Sequence, residues 1–95
     1  MDYSELHSKL LGKGQAIENR KGDHVFFYIE VDGGMQRATK LSHNAHGQID
    51  TNILDQISRQ MRLTNRELRG FVACPISREQ WLELWQQRGY LRRGT

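Results

Sequence analysis

The sequence predicts an α+β domain, an antiparallel three-stranded sheet combined with helices, and three observations carry that expectation. Val25, Phe27, Ile29 and Val31 alternate with His24, Phe26, Tyr28 and Glu30, which is the period of a strand with one buried face. Asp32-Gly33-Gly34 follows at once and reads as a hairpin turn. After Asp50 the apolar spacing changes to three and four. Two boxes, Thr64-Asn65-Arg66-Glu67 and Ser77-Arg78-Glu79-Gln80, then mark helix starts, because hydroxyl and carboxylate or amide answer each other's backbone amides.

The elements follow in order. Leu6, Leu10 and Leu11 predict a short first helix from Tyr3 to about Gly12, with Ser4 as its N-cap. Gln15–Arg20 is a modest first strand that turns at Lys21-Gly22-Asp23 into the strong one. Met35–Leu41 is the third. A three-residue loop at Asp32-Gly33-Gly34 pairs Val31 with Met35, Phe27 with Thr39 and Val25 with Leu41, setting Lys40 beside Phe26 and Ser42 beside His24. That register also sets Arg37 opposite Ile29 on the buried face, its one flaw. After the polar loop from Ser42 to Gln48, a second helix runs from Asp50 or Thr51 to about Leu63 on Ile53, Leu54, Ile57 and Met61. A third buries Leu68, Phe71 and Val72, and a fourth, past Pro75, buries Trp81, Leu84 and Trp85 and stops at Gly89. Tyr90 to Thr95 is expected to fray.

At 95 residues the chain is expected to be a single domain, residues 1–95, with a core at 3–63 and a C-terminal helical extension at 64–90. No apolar run approaches the ~18 residues that span a bilayer, and the first residues lack the layout of a secretion signal, so no membrane and a cytoplasmic location are expected. Cys74 is the one cysteine, which excludes an internal disulfide and leaves a thiolate metal cluster without ligands. Net charge is +3, and ten of the 14 basic residues are arginine, a balance that favours polyanionic partners.

Candidate chemistry gathers on the polar side of the strong strand. An imidazole can give or take a proton near neutral pH, so His24 suits proton transfer in phosphodiester cleavage by a neighbouring 2′-hydroxyl. Its plain alternative is a surface histidine at a strand start. Phe26 and Tyr28 are placed to stack bases, or else to be covered by the C-terminal helix or a partner. Lys21 and Lys40 offer point charges for phosphate, and Ser42 and His43 stand at the end of the third strand. His24, His43 and His46 have no completing cysteine or carboxylate at a recognisable spacing, so neither a metal nor another cofactor is expected. Arg59, Arg62, Arg66 and Arg69 read as a solvated face balanced by Asp55 and Glu67.

With Gly22-Asp23-His24 at the head of the middle strand and Ser42-His43 after the third, the chain resembles the HicA-type toxins of toxin–antitoxin systems from about Ser4 to Leu63. That resemblance implies an α-β-β-β-α core like a double-stranded-RNA-binding domain, with helices on one face of the sheet. It also implies mRNA interferase activity with His24 catalytic, RNA as substrate and neutralisation by a cognate antitoxin. Thr51, Leu54 and Ile57 fit the family's apolar helix with a polar cap. Two departures stand out: Asp23 replaces the family's serine, and two helices follow where members typically end. The alternative is a non-catalytic RNA-binding or protein-binding module on the same fold. Asp50-Thr51-Asn52, in place of a lysine cluster at the second helix, speaks against ordinary double-stranded RNA binding. Oligomeric state is not readable from the chain.

Overall fold

The structure, a computed structural model, describes residues 1–31, 33–42, 45–73 and 75–90. Its elements are α1 (Tyr3–Leu11), β1 (Ile17–Lys21), β2 (His24–Val31), β3 (Gly34–Ser42), α2 (Thr51–Gln60), α3 (Asn65–Ala73) and α4 (Arg78–Gln87). The three strands form one antiparallel sheet in the order β1-β2-β3, an α+β architecture as expected. Val25, Phe27, Ile29 and Val31 are buried, and one apolar cluster joins them to Leu6 and Leu10 of α1, Leu54 and Ile57 of α2, Leu68 and Phe71 of α3, and Trp81 and Trp85 of α4. The last two helices therefore share the core with the first part of the chain. No helix among the described residues is long and apolar enough to cross a membrane.

The β2–β3 register agrees with the sequence reading at one end and departs from it at the other. His24 pairs with Ser42, Val25 with Leu41, Phe26 with Lys40 and Phe27 with Thr39. Between Phe27 and Tyr28 the register shifts, so that Tyr28 meets Arg37, Ile29 meets Gln36 and Val31 meets Gly34. Ala38 is the extra residue of this bulge. Val31 thus meets Gly34 and not Met35 as expected, one residue closer along the chain. Magnitudes explain the choice. A regular ladder would set the Arg37 guanidinium against Ile29 in the core at a cost of several kcal/mol, whereas a bulge forgoes a ladder bond worth about 0.5–1.5 kcal/mol. With the bulge, Ala38 and Thr39 both turn inward, at 1% and 0% exposure, and Arg37 turns out to solvent.

Thr39 brings a hydroxyl into the core, and α2 answers it. The Gln60 side-chain oxygen accepts from Thr39 Oγ1 at 2.6 Å and from the Lys40 amide at 3.3 Å, which also caps an otherwise open position on the β3 edge. Helix ends follow the sequence signals, with one correction. Asp50, Thr64 and Ser77 accept from backbone amides as read, but α1 is capped by Asp2, whose carboxylate accepts from the Glu5 amide, and not by Ser4. Leu82 and not Leu84 is the fourth helix's third buried apolar residue, and Leu84 packs at the margin.

Helices α2 and α4 end alike. Leu63 N–H bonds Ser58 O and Arg62 N–H bonds Arg59 O; Tyr90 N–H bonds Trp85 O and Gly89 N–H bonds Gln86 O. Each pair of bonds requires a left-handed residue, which is Gly89 at φ 80° in one case and Arg62 at φ 59° in the other. The Met61 carbonyl between them accepts both indole N–H groups, Trp81 Nε1 at 2.9 Å and Trp85 Nε1 at 2.5 Å, so α4 is fastened to the end of α2. Arg88 adds a second fastening. It donates to both Glu67 oxygens, at 2.9 and 2.6 Å, and to the Arg62 carbonyl.

Two predictions follow from these fastenings. Gln60→Leu strands the buried Thr39 hydroxyl and should cost about 1–3 kcal/mol, read as a Tm lowered by about 4–8 °C for each kcal/mol. Glu67 carries a pH dependence, because the guanidinium of Arg88, donating to its carboxylate, holds its carboxyl below the usual glutamate range. At pH values beneath about 4.3, unfolded chains bind a proton that the folded chain resists, so this contribution is present above that pH and disappears as the pH falls through the lower folded value. Glu67→Gln should flatten the fall of Tm on acidification over that window, measured by thermal unfolding from pH 7 to 3.

Candidate functional site

β2 is the central strand, so each outward residue on it has a neighbour on both sides, and three rows of side chains result. Lys21, His24 and Ser42 form the first row, Asn19, Phe26 and Lys40 the second, and Ile17, Tyr28 and Arg37 the third. Phe26 and Tyr28 are half-buried, and the other seven are exposed, so no helix among the described residues covers this face. Ile17, at 56% exposure, is part of it and not of the core.

The aromatic centre is ordered by its own contacts. Phe26 and Tyr28 stack with ring centroids 6.5 Å apart, and the His24 ring lies tilted 6.3 Å from Phe26. The guanidinium of Arg37 sits 5.7 Å from the Phe26 centroid on the same face. Along β2 the row spacing is about 7 Å, so the run from His24 to Tyr28 spans about 13 Å. An extended strip of three rings flanked by Lys21, Lys40 and Arg37 suits an unpaired polynucleotide, whose bases need flat apolar platforms and whose phosphates need cations alongside.

His24 is presented by a turn. Because Lys21 pairs with His24, Gly22-Asp23 is a two-residue connection, and Gly22 takes φ 59°, a left-handed angle that a side chain would strain. The imidazole also borders a small cleft of about 150 Å³ where the end of β3 meets α2, shared with Lys40, Ser42, Gln56, Gln60 and Tyr3. Among the described residues, none hydrogen-bonds the His24 ring. Lys21, Phe26, Tyr28, Lys40 and Ser42 are all brought to the same face as His24, as the alternation requires. His43 lies outside the described residues, as do Cys74 and 91–95. No three of His, Cys, Asp and Glu among the described residues are grouped to hold a metal ion.

Two features escape the sequence reading. Arg37 belongs to the open face and touches its aromatic centre, and its misfit opposite Ile29 was the available signal. The second feature lies under β1. Glu18 and Arg20 pair with Phe27 and Val25 and so point to the helix side of the sheet, where His7 of α1 comes within 3.0 Å of Glu18 and packs edge-on against Phe27. Together with Tyr3, Ser4 and His46 they line a cleft of about 230 Å³. His7 and Glu18 are each nearly half exposed, and nothing in their spacing along the chain announces the pair.

Compared with models of protein families, with curated proteins and with solved structures, the chain matches none.

Proposed function

We propose that this protein is a HicA-like endoribonuclease acting in the cytoplasm, which lays single-stranded RNA across the open face of the sheet and cleaves it at His24. The observation that supports this reading is the convergence, on one uncovered face, of an imidazole, two stacked rings and three cations. Bases stack on Phe26 and Tyr28, while Lys21, Lys40 and Arg37 offset phosphate charge. The His24 imidazole takes the proton of a 2′-hydroxyl. That oxygen attacks the adjacent phosphorus, the bond to the 5′-oxygen breaks, and the leaving oxygen takes a proton from water while the imidazolium returns its own to solvent, giving a cyclic phosphate end and a free 5′-hydroxyl. Resemblance to the HicA-type toxins supports the same role for His24 and adds an antitoxin that covers the site. Exposure of the whole face leaves room for such a protein.

One observation favours a second reading. No described residue hydrogen-bonds the His24 ring, so nothing among them orients it as a base is oriented in many acid–base sites. On that reading the same face is a non-catalytic RNA-binding platform, and His24 is only one of its contacts.

Expression of the wild-type and His24→Ala chains, with growth and RNA integrity followed, decides between them. Wild type is expected to arrest growth and fragment RNA, and the alanine variant to do neither while still binding single-stranded RNA. Equal cutting by both chains, or none by wild type, would overturn the nuclease reading. Phe26→Ala and Tyr28→Ala should each weaken binding of a single-stranded oligonucleotide by about 1–3 kcal/mol, measured by fluorescence anisotropy.

A further inference from the structure

Arg37 has further neighbours besides the aromatic centre. It lines a cleft of about 230 Å³ along the edge of β3 with Arg59, Gln60 and Arg62 of the α2 end. Arg59 and Arg62 in turn line a second cleft of about 410 Å³, with Thr64, Arg88 and Tyr90. The two clefts share those arginines, so a cationic path runs from the sheet face, round the β3 edge, to the end of α4. Among the described residues, Arg88 is paired with Glu67, and no carboxylate forms an ion pair with Arg37, Arg59 or Arg62. The balance by Asp55 and Glu67 expected from the sequence does not hold here: Asp55 accepts from Asn65, and Glu67 is taken by Arg88.

Arg62 is the most informative member. It occupies the left-handed position after α2, where glycine is the cheap residue and a side chain costs on the order of 1 kcal/mol, and where the equivalent position after α4 is Gly89. A long cation at a backbone site that disfavours it points to use of the side chain. That side chain lies 4.5 Å from the Tyr90 centroid, and Tyr90 is 49% exposed, so a cation and a ring are again offered together.

We propose that this arginine groove is a second RNA-contact surface, which takes the phosphates of the strand as it leaves the sheet face past Arg37, with Tyr90 available to stack a base. The inference rests on the RNA reading above and extends the contacted strand beyond the His24 site. Single-stranded RNA is favoured over an acidic protein segment because the groove continues from the stacked rings and repeats their pairing of ring with guanidinium.

The test is salt-dependent binding of a fluorescent oligouridylate long enough to cover both surfaces, with polyglutamate as the comparison polyanion. The variants are Arg59→Gln/Arg62→Gly, Arg59→Lys/Arg62→Lys and the charge-matched control Arg66→Gln/Arg69→Gln, whose positions line neither cleft. Loss of two phosphate contacts lowers the slope of log K against log salt by about 1.4, at about 0.7 for each. The first variant should show that loss and a several-fold weaker affinity with a Tm no lower than wild type, since glycine suits the backbone at 62. The lysine variant should keep the slope, and the control should change it by less than half as much. An unchanged slope in the first variant, or an equal loss in the control, overturns the groove while leaving RNA binding at the sheet intact. Loss of polyglutamate binding alone assigns the groove to an acidic protein and overturns it too. Failure of wild type to bind the oligonucleotide at low salt removes the RNA reading itself, and the groove with it.

Discussion

One extra residue in β3 decides what this molecule shows to solvent. Without the bulge at Ala38, the alternation that serves Phe27–Thr39 and Val25–Leu41 would carry Arg37 into the core beside Ile29. With it, the half of the hairpin nearest the turn is shifted by one, and Arg37 moves to the open face above Phe26. Thr39, inward in either register, brings a hydroxyl that needs a partner and finds Gln60. The Gln60 contacts hold the end of α2 to the β3 edge, and the clefts beside His24 and beside Arg59 lie along that junction.

The helical half is organised around a different economy. Met61 ends α2 with a carbonyl that no helix bond uses, and both indoles of α4 converge on it. Two buried Trp N–H groups would each be costly without an acceptor, so a single backbone oxygen satisfies the largest side chains of the core. Arg78 completes the attachment by donating to the Glu30 and Gly14 carbonyls, which holds the start of α4 to the far end of β2. In consequence α3 and α4 join the core on the apolar side of the sheet, and the half-buried rings of Phe26 and Tyr28 stay on the opposite face. The alternative in which the C-terminal helix covers those rings does not arise.

Much of this was legible in the chain. Strict alternation from His24 to Val31 named both faces of β2, and the capping boxes at Thr64 and Ser77 are present as read, because each depends on residues close in sequence. Register near His24 was also accessible, since Val25 and Leu41 leave little choice. What was hidden depends on tertiary partners. The Gln60 contact to Thr39 joins residues 21 apart, and the His7–Glu18 pair requires α1 to lie over an edge strand whose inward residues are polar. The arginine groove was masked for a different reason. Charge along a helix suggests balance by near neighbours, whereas here Glu67 is claimed by Arg88 from another helix and Asp55 by Asn65.

The polar inner side of β1 bears on how the His24 end is held. Glu18 and Arg20 face inward where an apolar strand would carry core residues, so β1 is secured by its ladder with β2, by the His7–Glu18 contact and by the turn at Gly22, with little apolar burial. On the other flank, Ser42 ends β3. The row Lys21, His24, Ser42 therefore sits where the sheet has the least core beneath it, while Phe26, Tyr28 and Arg37 stand over Phe27 and Ile29, which are almost wholly buried. Such an arrangement divides the face physically. The stacked rings lie over almost wholly buried residues, and His24 lies at the margin, bordering the cleft between the end of β3 and α2.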